Sequence, residues 1–315
     1  MHEETMSEVH EILRRVFHRA ITINWRSSQS MPGAGERRSH YRGSGDDFDG
    51  LDEYGPGDDP RAIDWNATAQ TGGQTILKTV HIEPRDVKVF ILTDVGPSMD
   101  FGTARATKRH LAAELAASII KAADETHDRV GFVSYTKDKL GRYMPSGAAG
   151  RLLLPATVSI VDGERAAERA GSGTGSGLIK ALSLLPPSRS LVFVISDFLH
   201  PSEKERLALR KASFKHDVVC LIVQDRRERE LPAVWGFYTL EDLGTGQRKT
   251  IFVTKAVRER FAENFRKHDE ELESFFRQAN CRWLPVSTEE GDAAIPRLLR
   301  LYASGGLQDR RSRRA

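Results

Sequence analysis

Two apolar stretches of this 315-residue chain each end in an aspartate, and carboxylates so placed can hold a cation or a partner's side chain. Asp86–Asp94 (DVKVFILTD) runs on into Val95, Gly96, Pro97, Ser98 and Met99, while Ser190–Asp197 (SLVFVISD) sets Ser196 directly before its own aspartate. Between them lies the glycine-rich segment 171–177 (GSGTGSG), which carries Thr174 and Ser176 and leads into a helical pattern. Asp94, Asp197 and these hydroxyls are hard oxygen donors of the kind that Mg2+ or Mn2+ prefers. A plainer use stands beside this one. Aspartate at a strand end commonly caps the loop or helix that follows, and a glycine-rich loop can be no more than a helix entry. A phosphate cradle is a further use of such a loop, but it lacks GxxxxGK[ST] and no window fits GxGxxG, so nucleotide binding has little support. HExxH and GxSxG are also missing, and the ten histidines are scattered. No nucleophile with a positioned base emerges, and the expectation is a protein that is not an enzyme.

The elements that must position these residues follow from periodicity. The apolar run into Asp94 reads as a strand covered on both faces. Strands are likewise expected over Arg129–Thr136, Ser190–Asp197, Asp217–Gln224 and Arg282–Val286, with Leu140–Met144 pairing back as a hairpin. Helical spacing is expected over 6–20, Thr103–His127, Gly177–Leu185, Glu203–Phe214, Ala256–Ala279 and Ala293–Tyr302. Alternation of this kind implies right-handed crossovers and an α/β doubly wound, mainly parallel sheet. In such sheets ligands bind beyond the carboxyl ends of the strands, near the point where strand order reverses. Phe237–Asp242 and Lys249–Thr254 flank the turn-like 244–246 and suggest a β-hairpin excursion. From Ser27 to Gly57 the chain is polar and glycine-rich, an irregular segment with at most short strands. The division expected is an N-terminal helix and irregular segment over 1–84 packed on the main domain, a main domain over 85–305 and a basic tail over 306–315.

Composition narrows the function further. Lys and Arg total 47 against 44 acidic residues, and a net charge of +3 spread this evenly argues against nucleic acid. Cys220 and Cys281 show no metal spacing and read as reduced core residues. No run approaches the roughly 20 apolar residues needed to cross a bilayer, and the charged 1–23 stretch does not read as a signal peptide. The expectation is a soluble, cytoplasmic protein.

At this point a resemblance becomes specific. Asp94, Gly96 and Ser98 stand as in the DxSxS metal-ion-dependent adhesion site (MIDAS) of von Willebrand factor A (vWA) domains, and Asp197 stands where their second strand-end aspartate falls. The segment from Tyr54 to Ala69 (YGPGDDPRAIDWNATA), then Leu77, Lys78 and Glu83, resembles the bacterial domain-of-unknown-function family 58, or DUF58. The similarity extends from about Gly33 to Gly244. It implies a von Willebrand factor A (Rossmann-like) fold and a protein-interaction module associated with a MoxR-type AAA+ ATPase that remodels or matures a target protein complex. It further implies Asp94 and Ser98 as metal ligands, direct or through water, and Asp197 as a water-bridged carboxylate. The middle-loop hydroxyl is Ser176, which has the family's spacing to Leu182, or Thr174, which is the family's residue type two places early. Gly96 replaces the first serine of the motif, so the site is expected to be degenerate, with Mg2+ or Mn2+ retained through water or absent altogether. Gly96, Met99, Arg61 and Trp65 are the candidate partner-contact residues, and Trp65 and Arg61 equally suit an anchor for the N-terminal segment, with Arg61 paired to an aspartate. Two rival readings are a metal-dependent hydrolase or phosphatase at the Asp94/Asp197 edge and a metal-free structural subunit.

Overall fold

The computed structural model describes residues 2–17, 47–55, 59–72, 75–82, 88–102, 106–163, 176–231, 235–241, 248–290 and 297. Among these, residues 2–17 and those from 88 onward form one compact unit, and residues 47–82 a second. The N-terminal helix therefore belongs with the main unit and not with the family-specific segment with which the sequence grouped it.

The main unit is built on a six-stranded sheet. Its strands are β3 (Lys88–Asp94), β4 (Arg129–Tyr135), β5 (Leu140–Ala148), β6 (Leu191–Ser196), β7 (Asp217–Gln224) and β10 (Arg282–Ser287). They lie in the order β10-β7-β6-β3-β4-β5, all parallel except β5, which is antiparallel to β4. From β3 the chain steps one way to β4 and later returns to the other side to lay down β6, so strand order reverses between β3 and β6. Alternate residues face alternate sides, as the two-residue period of a strand requires. Val89, Ile91, Phe132, Phe193, Ile195 and Leu221 fill one core, and Phe90, Leu92, Val133, Val192, Val194 and Ile222 the other. Burial on both faces is why these strands read as continuous apolar runs. Cys220 and Cys281 are free, buried thiols, as expected.

Helices α1 (His2–Phe17), α3 (Lys108–Glu125) and α4 (Ala149–Val161) cover the first face. Most of α3 is buried, which explains its run of alanines: small side chains let it sit between the sheet and α1 and α4. α1 turns Ile12 and Val16 into the same core, and Arg15 donates to Glu114 of α3 at 3.0 Å. The second face is covered by α5 (Gly177–Ser183), α6 (Glu203–Ser213) and α8 (Lys255–Gln278), which contribute Leu178, Leu182, Leu209, Leu272 and Phe276. A four-residue helix, α7 (Arg226–Arg229), follows β7. Strands β8 (Gly236–Glu241) and β9 (Arg248–Val253) form the expected hairpin, with Phe237 and Phe252 edge to face at 4.9 Å.

The second unit holds the antiparallel pair β1 (Asp47–Glu53) and β2 (Leu77–Ile82), a 3-10 turn over Pro60–Ala62 and α2 (Trp65–Gln70). Asp59 caps the turn by accepting from the backbone N–H of Arg61 at 2.9 Å, and Asp64 caps α2 by accepting from Asn66 and Ala67. The bond between Asp59 and Arg61 thus runs through the backbone amide, where a guanidinium pair was expected. Trp65 stands at the first position of α2.

Helix α4 was not anticipated, and α3 starts at Lys108 where Thr103 was expected. The proposed helix over Ala293–Tyr302, apart from Arg297, and the tail after 305 lie outside the described residues.

Candidate functional site

Helix α3 delivers two buried cations to the carboxyl ends of β3 and β6. Thr107 caps it by accepting from the backbone of His110, and Lys108 and Arg109 occupy its first turn. That turn carries the positive end of the helix dipole and is where a cation is least favoured. Both side chains are nonetheless buried. Lys108, 0% exposed, donates from Nζ to Asp197 Oδ2 at 2.9 Å and to Glu228 Oε1 at 2.6 Å. Arg109 pairs with Asp100 and donates to the carbonyls of Val95 (3.1 Å), Gly96 (3.3 Å) and Ile160 (3.4 Å). The guanidinium so clamps the loop that follows β3, where Pro97–Asp100 makes one 3-10 turn.

Asp94 sits differently. Its Oδ1 accepts from the backbone N–H of Gly96 at 2.8 Å and its Oδ2 from the Ser196 hydroxyl at 2.9 Å. Burial, and then the Asp197 carboxylate, push its pKa up to about 6, against the smaller opposing effect of those two bonds and of Lys108. The hydroxyl of Tyr135, on the neighbouring strand, is buried and makes no hydrogen bond of normal geometry among the described residues. Burial and the Asp94 carboxylate hold it well above the ordinary tyrosine range.

Asp225 is a third aspartate at a strand end, and its role is structural. Fully buried, it caps α7 through Arg227 N–H at 2.9 Å and accepts from Thr288 at 2.7 Å. This fixes α7 so that Glu228 reaches Lys108. Burial raises the Glu228 pKa, while Lys108 draws it back.

Above these groups opens a cleft of about 310 Å³, lined among others by Asp94, Ser98, Tyr135, Ser196, Asp197 and Glu205. Phe198, at its floor, adopts φ 47°, a left-handed conformation that costs a non-glycine residue of order 1 kcal/mol. Its buried ring lies edge on to Phe276 at 5.0 Å. Gly177, on the neighbouring side, lets α5 approach the β4–β5 turn: a Cβ there would meet the Thr136 carbonyl at 2.0 Å.

The structure therefore brings Asp94, Gly96, Ser98 and Asp197 to one cleft. Ser176 caps α5 and donates to Glu205 Oε1 at 2.5 Å. Thr174 lies outside the described residues. Met99 is wholly buried and is not a partner contact; its side chain belongs to the core. Arg61 and Trp65 belong to the second unit. Lys108, Arg109, Glu205, Glu228 and Asp225 were not singled out from the sequence. The available signal was the Lys-Arg-His run just after a helix-capping threonine, an arrangement the helix dipole disfavours unless acids are near.

Among the described residues the donor set is poor for a divalent cation: Gly96 supplies no hydroxyl, Ser176 is engaged by Glu205, and Asp197 is paired with an ammonium that would repel a second cation. Among the described residues no group of three or more His, Cys, Asp or Glu side chains is arranged to hold a metal.

Residues 51–271, more than half of the chain, match the family model described as protein of unknown function DUF58. The chain belongs to the DUF58 family. Among its relatives is the uncharacterized protein Rv1480 of Mycobacterium tuberculosis strain H37Rv, 29% identical over 237 residues, which span 75% of this chain and 73% of that one. The uncharacterized protein Mb1516 of Mycobacterium bovis matches to the same extent. Solved structures with similarity to this DUF58 chain include the conserved hypothetical protein BatB of Bacteroides thetaiotaomicron, at 15% identity and a TM-score of 0.43, covering 70% of this chain and 98% of that one. The SpRpn10 VWA domain gives 11% identity and a TM-score of 0.35, covering 71% and 100%. Among the described residues no helix is long and apolar enough to cross a membrane.

Proposed function

We propose that this DUF58 protein is a cytoplasmic protein-interaction module and not an enzyme. In this reading the cleft at the carboxyl ends of β3 and β6 seats a side chain of a partner, and the protein acts as an adaptor for a MoxR-type AAA+ ATPase in the remodelling or maturation of a target complex. The observation that carries the reading is the cleft itself. It opens where strand order reverses, offers the partly exposed Asp94 and Ser98, and rests on a floor held by Lys108 and Arg109. Rigid positioning of a few polar groups is what a recognition site needs, since little freedom is then lost on binding. Its lining is more apolar than polar and mixes the carboxylates with hydroxyls and Lys137, which suits a partner side chain with an apolar body and a polar tip. The ATPase pairing rests on the family resemblance alone.

Co-expression with a MoxR-type ATPase and capture on a tag tests this, with wild type and Asp94→Ala compared. Retention by wild type and loss with Asp94→Ala is the expected result; equal retention would move the contact elsewhere. Turnover of a phosphate ester in the presence of Mg2+ or Mn2+, abolished by Asp94→Ala, would instead establish the hydrolase reading.

A further inference from the structure

We propose that the ammonium of Lys108 is a tethered substitute for a divalent metal at this cleft, so that the site holds its carboxylates together with a cation of its own. Three observations converge. Lys108 is fully buried, and a lysine is kept there only where acids compensate it. It bridges two carboxylates from different elements, Asp197 after β6 and Glu228 on α7, as a bound cation would. The same site lacks a hydroxyl at Gly96, and Ser176, the described candidate for the middle-loop ligand, gives its hydroxyl to Glu205. The missing ligand and the added ammonium are complementary changes: a metal would find fewer donors and a positive charge already in place.

The charged groups around Lys108 agree with this. Asp197 and Glu228 touch it, and Asp94 feels it through space, so one ammonium faces three acids. Arg109, the next cation on the same helix turn, is turned away to Asp100 and the loop carbonyls. Lys108 is thus the cation committed to the strand-end acids. The inference concerns the charge balance of the cleft, and its test reads metal and not partner capture, so it stands or falls separately from the adaptor reading.

The experiment is Mg2+ and Mn2+ titration calorimetry, with melting temperatures in EDTA and in millimolar metal, on the intact chain. The variants are Lys108→Met and the double variant Lys108→Met/Glu228→Gln, which removes the ammonium together with one of its two acids and is the safer to fold. Wild type is expected to show no saturable heat and the same melting temperature in EDTA and metal. Removing the ammonium is expected to create affinity at least about tenfold tighter than wild type, or to make folding depend on added metal, since binding would then stabilise the fold. Saturable wild-type binding overturns the proposal. So does a double variant that folds in EDTA and remains indifferent to both metals, or one that fails to fold and is not restored by either.

Discussion

Asp94 and Asp197 follow adjacent strands in the same sequence pattern, yet the two carboxylates live in different electrostatic surroundings. Asp197 meets an ammonium, Lys108 Nζ, at 2.9 Å. Asp94 meets only neutral donors, Gly96 N–H and Ser196 Oγ–H, and bears the repulsion of Asp197. One is neutralised by a charge of the protein; the other is left partly uncompensated at the opening. The difference is made by neither strand. It comes from the first turn of α3, which directs Lys108 beneath Asp197 and sends Arg109 to the loop that carries Gly96. A strand-end aspartate is therefore a position whose chemistry is assigned by a helix distant in sequence.

This contrast can be broken at its strongest point first. Lys108→Ala leaves the buried Asp197 and the partly buried Glu228 without a counter-charge and should lower stability by about 3–5 kcal/mol in urea unfolding, the usual result of removing one partner of a buried pair. A loss below about 1 kcal/mol would mean that water or a counterion already does the work. Arg109→Leu should follow, at about 2–3 kcal/mol, because the carbonyls of Val95, Gly96 and Ile160 lose a charged donor together. Amide exchange confined to residues 95–100 would show that the loop is what loosens.

Asp94 supplies a test of opposite sign. Its folded pKa of about 6 lies above the ordinary 3.8, so between about pH 4 and 6 the folded chain holds a proton that the unfolded chain has released. Stability from this group is present below that window and falls as pH rises through it. Asp94→Asn should therefore be more stable than wild type above about pH 6, by on the order of 1–3 kcal/mol, with the lower end favoured because the carboxyl is partly solvated. The gain should vanish near pH 4. Melting curves at the two pH values check it, and an equal gain at both would remove the electrostatic explanation. The smallest effect is expected from Gly96→Ser. A Cβ there would lie 3.1 Å from Asp94 Oδ1, so the carboxylate must yield by a few tenths of an ångström, at a cost below about 1 kcal/mol. A larger loss would show that Arg109 holds the loop too firmly for it to adjust.

The sheet was legible because its strands are buried on both faces and so read as uninterrupted apolar runs. The two strand-end aspartates could be named from that pattern, and Ser98 from the resemblance to the DxSxS motif. Helix α4 was not legible: Pro155 interrupts it, and Thr157, Val158, Ile160 and Val161 favour strand by composition, while packing against α3 and the sheet decides for helix. Glu228 gave no signal because its helix, Arg226–Arg229, is a single charged turn with no apolar period. Lys108 was not singled out. Its meaning depends on carboxylates 89 and 120 residues away.

The most direct test of the central claim is the affinity of the purified chain for a MoxR-type ATPase in EDTA, measured for wild type and for Ser98→Trp, which fills the cleft and leaves the buried pair of Lys108 and Asp197 unsubstituted. The account predicts that wild type binds without metal and that Ser98→Trp weakens the complex at least about tenfold, or 1.4 kcal/mol. Binding by Ser98→Trp equal to wild type would contradict it.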